Sequence, residues 1–528
     1  MAYVQPNSRI EFFTDIGITQ DYNDSLYFAD TSLKDSYFSN IDRLAHVDRC
    51  YYARDTRGFV RVELPMYTLI HAQYMRFKNT SYENRWWYAF VKDVVYINDN
   101  TTEVQFELDP LMSWMGSFTL SRCFVERQHS EEDYIGCNII PEPITYNDPV
   151  IRSRTVGNIT QSFGVVLFMA HHDVAWIDPG YNITLYQPQK VGGIYNGLDM
   201  IYCADATALQ FVLDKLTREV WIDDVVAIKM MPMGFQPSSS TIGSNITRTY
   251  SSAKPYNNIS GYIPKNNKLF TYPYNYLKVN NSEGQENIYK YELFGQVPPN
   301  ENNVTNYSFD AYGAWQSDMQ VLLVPNSYNG SVYQNYEERV AMQDFPSCSW
   351  NVDTFKAMLA QKESNLPARL LSSALSAVGS SALRPATTRH ASSIALSAGV
   401  NAISDILAEK ALPPNMPTIV KGSQGSNPLI GMSQNQKDFI FLEMNINAQD
   451  AEIIDNYFTM FGYADNKVHV PNMHARPHWT FVKTRDCKIN CMCPASDADT
   501  IEQIFNRGIR FWTNHTEIGD YTLDNRPL

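Results

Sequence analysis

The sequence predicts a mainly β protein with α+β parts, in which β-rich regions at both chain ends flank an inserted middle domain and a helical, hydrophobic segment. Apolar and polar residues alternate with a period of two in several short runs, as they do in half-buried antiparallel strands. Aromatic residues form 13% of the chain, and large rings favour sheets and interfaces. The C-terminal region adds two helical stripes to its strand patterns, which predicts the α+β part.

The N-terminal region has the clearest strand patterns. Apolar residues alternate with polar ones in residues 60–64, before Pro65, and in residues 104–108, just before Pro110. Both runs are predicted to be half-buried strands. Residues 86–91 are apolar at every position, which predicts an inner strand that is covered on both faces.

The middle region predicts one helix and two long loops. Residues 205–219 place Leu209, Val212 and Leu216 on one side of an amphipathic helix. Residues 235–260 and 278–310 are rich in Ser, Asn, Thr and Pro, so we expect long surface loops there.

The C-terminal region predicts a strand over residues 440–446 and then a helix. Asn447 offers an N-cap, and Gly462 can end the helix. The predicted apolar stripe of this helix consists of Ile453, Tyr457 and Phe461.

Two further strands, a helix and a last strand follow. The strands are predicted near residues 467–470 and 478–484, and the last one over residues 509–513. Ser496 is the predicted N-cap of the second helix, which Gly508 ends. The inward residues of this helix are Ile501, Ile504 and Phe505. The order strand-helix-strand, twice over, predicts a ferredoxin-like topology.

These patterns predict four regions. Residues 1–150 form an N-terminal β-rich domain, and residues 151–354 form an inserted, loop-rich middle domain. Residues 355–420 contain the hydrophobic segment, and residues 421–528 form a C-terminal α+β domain.

The hydrophobic segment stands apart from the rest of the chain. Residues 370–383 and 391–404 are two uncharged runs of 14 residues each, separated by an insert that holds Arg384, Arg389 and His390. As a helix, each run is roughly 21 Å long, against roughly 30 Å for the apolar core of a bilayer. A helical hairpin buried in a core or in an oligomer interface is one interpretation, and a loop with membrane activity is the other. Its candidate functional residues are Leu370, Leu371, Leu375, Val378, Leu383, Ile394, Leu396, Val400 and Ile403.

One cluster has the residue types of a zinc site. It consists of His469, His474, His478, Cys487, Cys491 and Cys493. Zinc accepts these side chains, but their spacing is irregular and no Cys-x-x-Cys pair is present. We therefore predict structural cysteines and no metal.

No pattern in the chain predicts catalysis. His171, His172 and Asp173 are predicted to form a polar turn at a strand end, because no partner for acid–base chemistry is identifiable. The motifs of nucleophile elbows, phosphate-binding loops and zinc proteases are missing. The expectation is a protein that is not an enzyme and that needs no cofactor.

Charge and the N-terminal residues set further expectations. The net charge of −14 argues against tight binding to nucleic-acid phosphates, which needs clustered Lys and Arg. The first residues lack the basic and apolar parts of a signal peptide, which predicts synthesis in a cytoplasm and argues against a disulfide framework.

An ordered series of stretches at both chain ends resembles one known family. The stretches are residues 1–4, 82–115, 124–129, 458–472, 482–487 and 505–521. Together they are similar to the tail knob, or distal tail tube, proteins of small short-tailed phages of Gram-positive bacteria that use protein-primed replication. The resemblance covers roughly the first 130 and the last 100 residues.

The resemblance implies a tube of six copies at the tip of the virion tail, with walls built from the terminal parts of the chain. The implied partners are other copies, the proximal tail tube or collar, the appendages, the host membrane, and genomic DNA that passes without sequence-specific binding. In the family, a long hydrophobic loop plugs the lumen and later enters the host membrane. The segment here has the same position but is shorter and is interrupted by charged residues, which favours the plug over a spanning pore.

Two other functions are compatible with the sequence. One is a receptor-binding adhesin whose middle domain contacts host-wall glycans. The other is a tail enzyme that degrades wall polymer.

Overall fold

A computed structural model describes most of the chain outside residues 350–422. The described residues are 7–157, 163–169, 177–186, 190–191, 194–195, 199–218, 225–232, 246–295, 305–330, 338–342, 347–349, 423–424 and 438–527, without positions 15, 52, 56, 57, 179, 283 and 316–318.

Strands dominate the described residues. In chain order they are β1 (Ser8–Phe13), β2 (Asp24–Leu26), β3 (Ala45–Cys50), β4 (Phe59–Val62), β5 (Tyr74–Asn79), β6 (Tyr82–Asn98), β7 (Thr101–Leu108), β8 (Thr119–Leu120), β9 (Cys123–Gln128), β10 (Val150–Gly157), β11 (Phe163–Met169), β12 (Ile183–Tyr186), β13 (Lys190–Val191), β14 (Ile194–Tyr195), β15 (Asp199–Cys203), β16 (Val225–Pro232), β17 (Ile246–Ala253), β18 (Asn275–Asn280), β19 (Glu286–Tyr289), β20 (Asn306–Trp315), β21 (Met319–Pro325), β22 (Val340–Met342), β23 (Ser347–Ser349), β24 (Ser423–Gln424), β25 (Phe439–Asn445), β26 (Tyr463–His469), β27 (Trp479–Arg485), β28 (Ile489–Asn490) and β29 (Ile509–Trp512).

Helices are fewer. They are α1 (Thr31–Asn40), α2 (Met66–Leu69), α3 (Pro110–Trp114), α4 (Ala206–Arg218), α5 (Ala448–Phe461) and α6 (Ala495–Arg507), with 3-10 turns at Ala53–Asp55, Asn267–Phe270, Tyr291–Leu293 and His515–Glu517. A mainly β architecture with α+β parts was the predicted fold class, and it is confirmed.

The chain folds into two compact units. Unit 1 contains the described residues of Met1–Asn147, Gly261–Phe270 and Asn447–Leu528, and unit 2 contains those of Asp148–Ser260 and Thr271–Ile446. Both chain ends therefore contribute to unit 1. The predicted boundaries near residues 150, 354 and 420 remain a prediction.

Unit 1 holds a six-stranded antiparallel sheet with the order β3-β1-β5-β6-β7-β4. Strand β6 lies between β5 and β7, and residues 87–90 are buried on both faces, which confirms the predicted inner strand. The strands predicted over residues 60–64 and 104–108 are confirmed as β4 and β7. Phe38 of α1 packs in the core, with its ring centroid 4.8 Å from that of Tyr88.

The second sheet of unit 1 joins the two chain ends. Its order is β2-β29-β27-β9-β26, with β2 parallel to β29 and the other pairs antiparallel. Strand β9, from the N-terminal region, lies between β27 and β26. The ferredoxin-like topology predicted for the C-terminal region alone is therefore wrong.

The predicted strand over residues 440–446 exists as β25, but it belongs to unit 2, where it pairs with β10 and β18. Phe439 and Phe441 are buried, whereas Ile440 and Leu442 are only half-buried. The ring of Phe441 lies 5.5 Å from that of Phe309. Both the strand partners and the aromatic contacts of β25 are thus distant in sequence, and local alternation does not reveal them.

Helix α5 begins and ends as predicted. The side chain of Asn447 accepts a hydrogen bond from the N–H of Asp450 at 2.8 Å, and Gly462 ends the helix with φ +64°. The buried stripe, however, contains Ala451, Ile454 and Phe458, and Ile453 is 60% exposed. The predicted stripe is therefore displaced by about one position, because aromatic residues lie on two adjacent helix faces.

Helix α6 buries Ile501, Ile504 and Phe505 and ends before Gly508, as predicted. Its predicted N-cap is wrong. The helix begins at Ala495 after Pro494, so Ser496 lies inside the first turn. The strands predicted around this helix are confirmed as β26, β27 and β29.

Unit 2 contains three larger sheets and one hairpin. The orders are β10-β25-β18-β19, β12-β15-β11-β16-β23-β24 and β17-β20-β21-β22, and β13 pairs with β14. Helix α4 buries Leu209, Val212 and Leu216, which confirms the predicted amphipathic helix.

The long loops predicted over residues 235–260 and 278–310 are wrong over much of their described length, whereas residues 254–260 form no strand or helix. Residues 246–253 form β17, which pairs with β20, and residues 275–289 contain β18 and β19. Residues 233–245 and 296–304 lie outside the described residues. Polar side chains are accommodated because they pair across strands: the hydroxyl of Thr249 donates to Asp310 at 2.7 Å. Thr and Tyr also favour strands, so polarity alone was a poor sign of a loop.

The end of α5 gives a test of this packing. A Cβ atom on Gly462 would lie 2.3 Å from the carbonyl oxygen of Gln128, whereas one on Gly261, with φ +93°, would meet nothing within 4 Å. Left-handed backbone costs an L-residue about 1–2 kcal/mol at either position. We expect Gly462→Ala to lose about 1–3 kcal/mol more than Gly261→Ala, because it also forces two backbone segments apart. Urea denaturation followed by tryptophan fluorescence measures the difference, and equal losses would contradict the close approach.

Candidate functional site

The nine candidate residues of the hydrophobic segment lie outside the described residues. They are Leu370, Leu371, Leu375, Val378, Leu383, Ile394, Leu396, Val400 and Ile403. In the part of the chain that the structure describes, no helix combines the length and the apolar character needed to cross a membrane.

The structure does describe where this segment begins and ends. Strands β23 and β24 pair antiparallel at the edge of a six-stranded sheet, with Ser349 opposite Ser423 and Cys348 opposite Gln424. Ser349, the last described residue before positions 350–422, and Ser423, the first described residue after them, therefore lie next to each other at this sheet edge.

A buried ionic cluster organises the part of unit 1 where β9 and β26 meet. The side chain of Glu142 has no exposed surface. Its carboxylate accepts hydrogen bonds from Arg127, from Lys268, and from the N–H of Ala464 at 2.8 Å. Arg127 also donates to the carbonyl of Gly462 at 2.7 Å. Burial lowers the pKa of Lys268, and the charge of Glu142 opposes that shift. One carboxylate thus joins segments that are far apart in sequence.

A second buried carboxylate holds residues 261–270 against α5. Asp455 is fully buried, and it accepts hydrogen bonds from the hydroxyl of Tyr262 at 2.8 Å and from the N–H of Lys265 at 2.7 Å. It also accepts from the backbone N–H of Asn266 at 3.0 Å and from its side-chain amide at 2.8 Å. Hydrogen bonds from several donors stabilise a buried carboxylate. Asp455 therefore fixes this short segment in unit 1.

His129 is the buried titratable group between β27 and α5. Its Nδ1 accepts a hydrogen bond from the N–H of Phe481 at 2.8 Å, and its Nε2 lies 3.2 Å from the carbonyl oxygen of Thr459. The carbonyl can only accept, so the neutral ring carries its proton on Nε2. Burial, with the nearby charge of Arg476, lowers the pKa of His129 to about 3. Protonation of Nδ1 would remove the acceptor of Phe481.

A cavity of about 370 Å³ runs beside β26. Residues 463–465 and 467–469 border it, with Gln128 on the same wall. The amide of Gln128 donates to Asp465 at 2.8 Å, and Nε2 of His469 lies 2.7 Å from the same carboxylate oxygen. The cavity therefore has a polar wall of paired groups beside an edge strand.

The predicted zinc-type residues have separate partners in the structure. His469 contacts Asp465, the ring of His474 stacks on Tyr27 at 5.2 Å, and His478 contacts Glu517 at 2.8 Å. Burial raises the pKa of Cys487 to about 12. Within the described ranges, no three His, Cys, Asp or Glu side chains gather as metal ligands would. His171, His172 and Asp173 lie outside the described residues.

Sequence reasoning missed the residues that hold unit 1 together. Glu142 and Asp455 occur in ordinary polar stretches, and no sequence motif surrounds His129. Asp455 lies on α5 one position after Ile454, on the buried side of the helix. A carboxylate on the buried side of a helix was the sequence feature that could have indicated a structural role for Asp455. Glu142 carries no comparable signal in its sequence neighbourhood.

Comparison with known proteins covers nearly the whole chain. A family profile described as the C-terminal domain of the tail knob protein gp9 of Bacillus phage phi29 matches residues 239–526. A second profile, described as the N-terminus of a caudoviral major tail protein, matches residues 6–119. The chain is 23% identical to the tail knob protein gp9 of Bacillus phage B103, across 99% of this chain and 100% of that one. It is 21% identical to the corresponding protein of Bacillus phage phi29, with the same coverage.

A solved structure shares the fold. The tail knob protein gp12 of bacteriophage C1 superposes with a TM-score of 0.59, at 15% sequence identity, over 98% of this chain and 99% of that one.

The ionic cluster predicts a large effect of one neutralising substitution. Glu142→Gln leaves Arg127 and Lys268 buried without their carboxylate, so we expect a loss of about 3–5 kcal/mol in the free energy of unfolding. Glu126→Gln is the matched control, because Glu126 pairs with Lys483 and Arg485 near the surface, and it should cost less than about 1 kcal/mol. Similar losses in the two variants would show that the buried cluster has no special role.

The environment of His129 predicts acid sensitivity. The pKa of His129 is about 3 in the folded chain, below the ordinary value of 6.5. Between these two values the unfolded chain therefore binds more protons than the folded chain. The folded state loses stability as the pH falls through that window. Gln at this position can accept from Phe481 and donate to Thr459 without titrating. Between pH 7 and pH 4 we expect the free energy of unfolding to fall less for His129→Gln than for the unmodified chain. The difference between the two losses should be on the order of a few kcal/mol. Urea titrations at several pH values measure this, and parallel profiles would contradict it.

Proposed function

Because the chain belongs to the family of the phi29 tail knob protein gp9, it is a structural protein of the virion tail, and we propose that six copies form the distal tail tube through which the phage genome leaves. The tube has no catalytic role in this proposal. Its partners are other copies, the proximal tube or collar, the appendages, and the passing DNA.

Unit 1 has the construction that a tube wall needs. It combines residues from both chain ends in shared sheets, and buried carboxylates hold the segments together. A wall that carries a pressurised genome must resist separation of its parts. Cyclic symmetry then closes the ring from identical contacts.

We propose that the hydrophobic segment plugs the lumen before infection and enters the host membrane afterwards. The proposal rests on one observation, the pairing of β23 with β24, which ties both ends of residues 350–422 to the same sheet edge. A loop tied in this way can leave the lumen without detaching from the wall. Each uncharged run is roughly 21 Å long as a helix, so it can enter a bilayer without crossing it alone.

The charge of the chain suits a conduit for DNA. The net charge is −14, and an acidic wall repels phosphates over a range of about 8 Å at physiological salt. DNA can then pass the wall without binding to it.

Electron microscopy and a vesicle assay test these proposals together. The purified chain should form six-fold rings and release dye from phospholipid vesicles. A chain in which a Gly-Ser segment of equal length replaces residues 370–408 should keep the rings and lose the leakage, because the length of the segment is kept while its apolar side chains are removed together with the few charged ones between them. Single particles without rings would contradict the tube. Loss of rings in the Gly-Ser chain would show that the segment belongs to a core or an interface.

A further inference from the structure

We infer that Cys123 and Cys487 form an oxidation site, at which the two thiols close into a disulfide once the virion has left the reducing interior of its host. The bond joins β9, from the N-terminal part of the chain, to the segment that follows β27. The inference rests on the virion location that the family shows, and not on the proposed ring or plug. Strand register, burial and contact between the two thiols support it.

The strand register brings the two cysteines together. Strand β9 pairs antiparallel with β27, and Phe124 lies opposite Arg485. In the same register, the N–H of Ser121 donates to the carbonyl of Lys488 at 2.9 Å. The two cysteines lie between these pairs, one on each side of the ladder. Facing residues of antiparallel strands lie about 4.5–5.5 Å apart between Cα atoms, and a disulfide needs about 4.4–6.8 Å.

Both side chains point into the core of unit 1. Cys123 is 5% exposed and Cys487 is 1% exposed, and both belong to the same cluster of buried apolar residues. Asp486 is exposed and has left-handed backbone with φ +57°, so the chain turns and the next residue, Cys487, faces inward. The two thiols share a hydrogen bond, and the hydroxyl of Thr484 lies within hydrogen-bonding reach of both. Two thiols in contact on facing segments can bond without a large movement of the backbone.

The interior of the host and the medium outside it set opposite redox conditions. Glutathione and thioredoxin keep thiols reduced in a cytoplasm, whereas disulfides persist on virion surfaces. The oxidant in this inference is hydrogen peroxide, which dissolved oxygen yields on partial reduction. The peroxide converts one thiol to a sulfenic acid and releases one water. The second sulfur then displaces the hydroxyl group, which leaves as a second water with the proton of that thiol. The two cysteines together lose two electrons and two protons, and the peroxide takes up both.

Burial makes this reaction slow and its product durable. Burial raises the pKa of Cys487 to about 12, and it also raises the pKa of Cys123. The thiolate is the reactive form, so oxidation is slow at neutral pH and becomes faster as the pH rises. The same burial shields the disulfide from thiol reductants, which must reach a sulfur atom to break the bond. The pair therefore stays reduced during assembly and gives a lasting bond afterwards.

The bond ties together parts of unit 1 that are far apart in sequence. Cys123 and Cys487 are separated by more than 360 residues. A disulfide that closes such a long loop acts mainly by removing conformational freedom from the unfolded chain. It therefore stabilises unit 1 without changing the contacts of the folded state.

A second pair of thiols is the competing target of an oxidant. Cys491 and Cys493 also share a hydrogen bond, and both are partly exposed. They are only two residues apart, so a bond between them closes a very small ring and does not join distant parts of the chain. The full chain with Cys491→Ala and Cys493→Ala removes this competitor and serves as the background for the test.

Oxidation of this background chain tests the inference. After treatment with hydrogen peroxide at mildly alkaline pH, peptide mass spectrometry should find Cys123 linked to Cys487. The urea midpoint of the oxidised chain should exceed that of the reduced chain by roughly 1 M. Adding Cys123→Ala lowers both midpoints through lost packing but should abolish the difference between them. Adding Cys50→Ala is the matched control and should keep the difference, because Cys50 is also buried in unit 1 but contacts the carbonyl of Asp48.

Virions provide a second measurement that needs no variant. Particles stored in air and then alkylated should contain the linked peptide, whereas chains alkylated inside infected cells should carry both cysteines as free thiols. Free thiols in the stored particles, or a sulfinic acid at either position in place of the link, would overturn the inference. A link already present inside the cells would overturn it as well. None of these outcomes affects ring formation or vesicle leakage, so the tube and plug proposals stand or fall separately.

Discussion

The buried carboxylate of Glu142 is the interaction on which unit 1 depends. It lies between Arg127, Lys268 and the backbone of Ala464, which come from three separate parts of the chain. A carboxylate without exposed surface is costly unless every oxygen is paired, so the cluster is stable only when all three parts are in place. Asp455 and His129 follow the same rule with hydrogen bonds to neutral groups. Unit 1 therefore gains specificity from groups that would destabilise it if they were mispaired.

The need to pair every buried carboxylate explains how the chain can leave unit 1 and return to it twice. The segment Gly261–Phe270 is flanked on both sides by residues of unit 2, yet its backbone and Asn266 are held by Asp455. Apolar contacts alone are non-directional and would tolerate a shifted segment. Hydrogen bonds to a fixed carboxylate do not tolerate a shifted segment, because a shift of one residue would leave the buried carboxylate without its donors.

Local features of the fold were predictable, and long-range ones were not. Asn447 and Gly462 mark the ends of α5 through their own side-chain and backbone chemistry, and residues 87–90 reveal a covered strand by composition. Strand β25 pairs with β10 and β18 and packs on Phe309, all more than 100 residues away in sequence, so alternation around residue 440 could not reveal its partners. The ordered strands between residues 246 and 289 were missed because their polar side chains are satisfied across the sheet. Among the site residues, the role of Glu142 can be recognised only from its contacts in the folded unit.

The pairing of Ser349 with Ser423 also limits how far the hydrophobic segment can extend. A chain tied at both ends extends only as a doubled strand, so its reach is half its contour length. About 36 residues in each direction, at roughly 3.3 Å per residue, give at most about 120 Å. In the proposed release, a loop fixed at both ends would present two passes of chain that run in opposite directions and no free end, so positions half-way along it, around residue 386, would lead its extension.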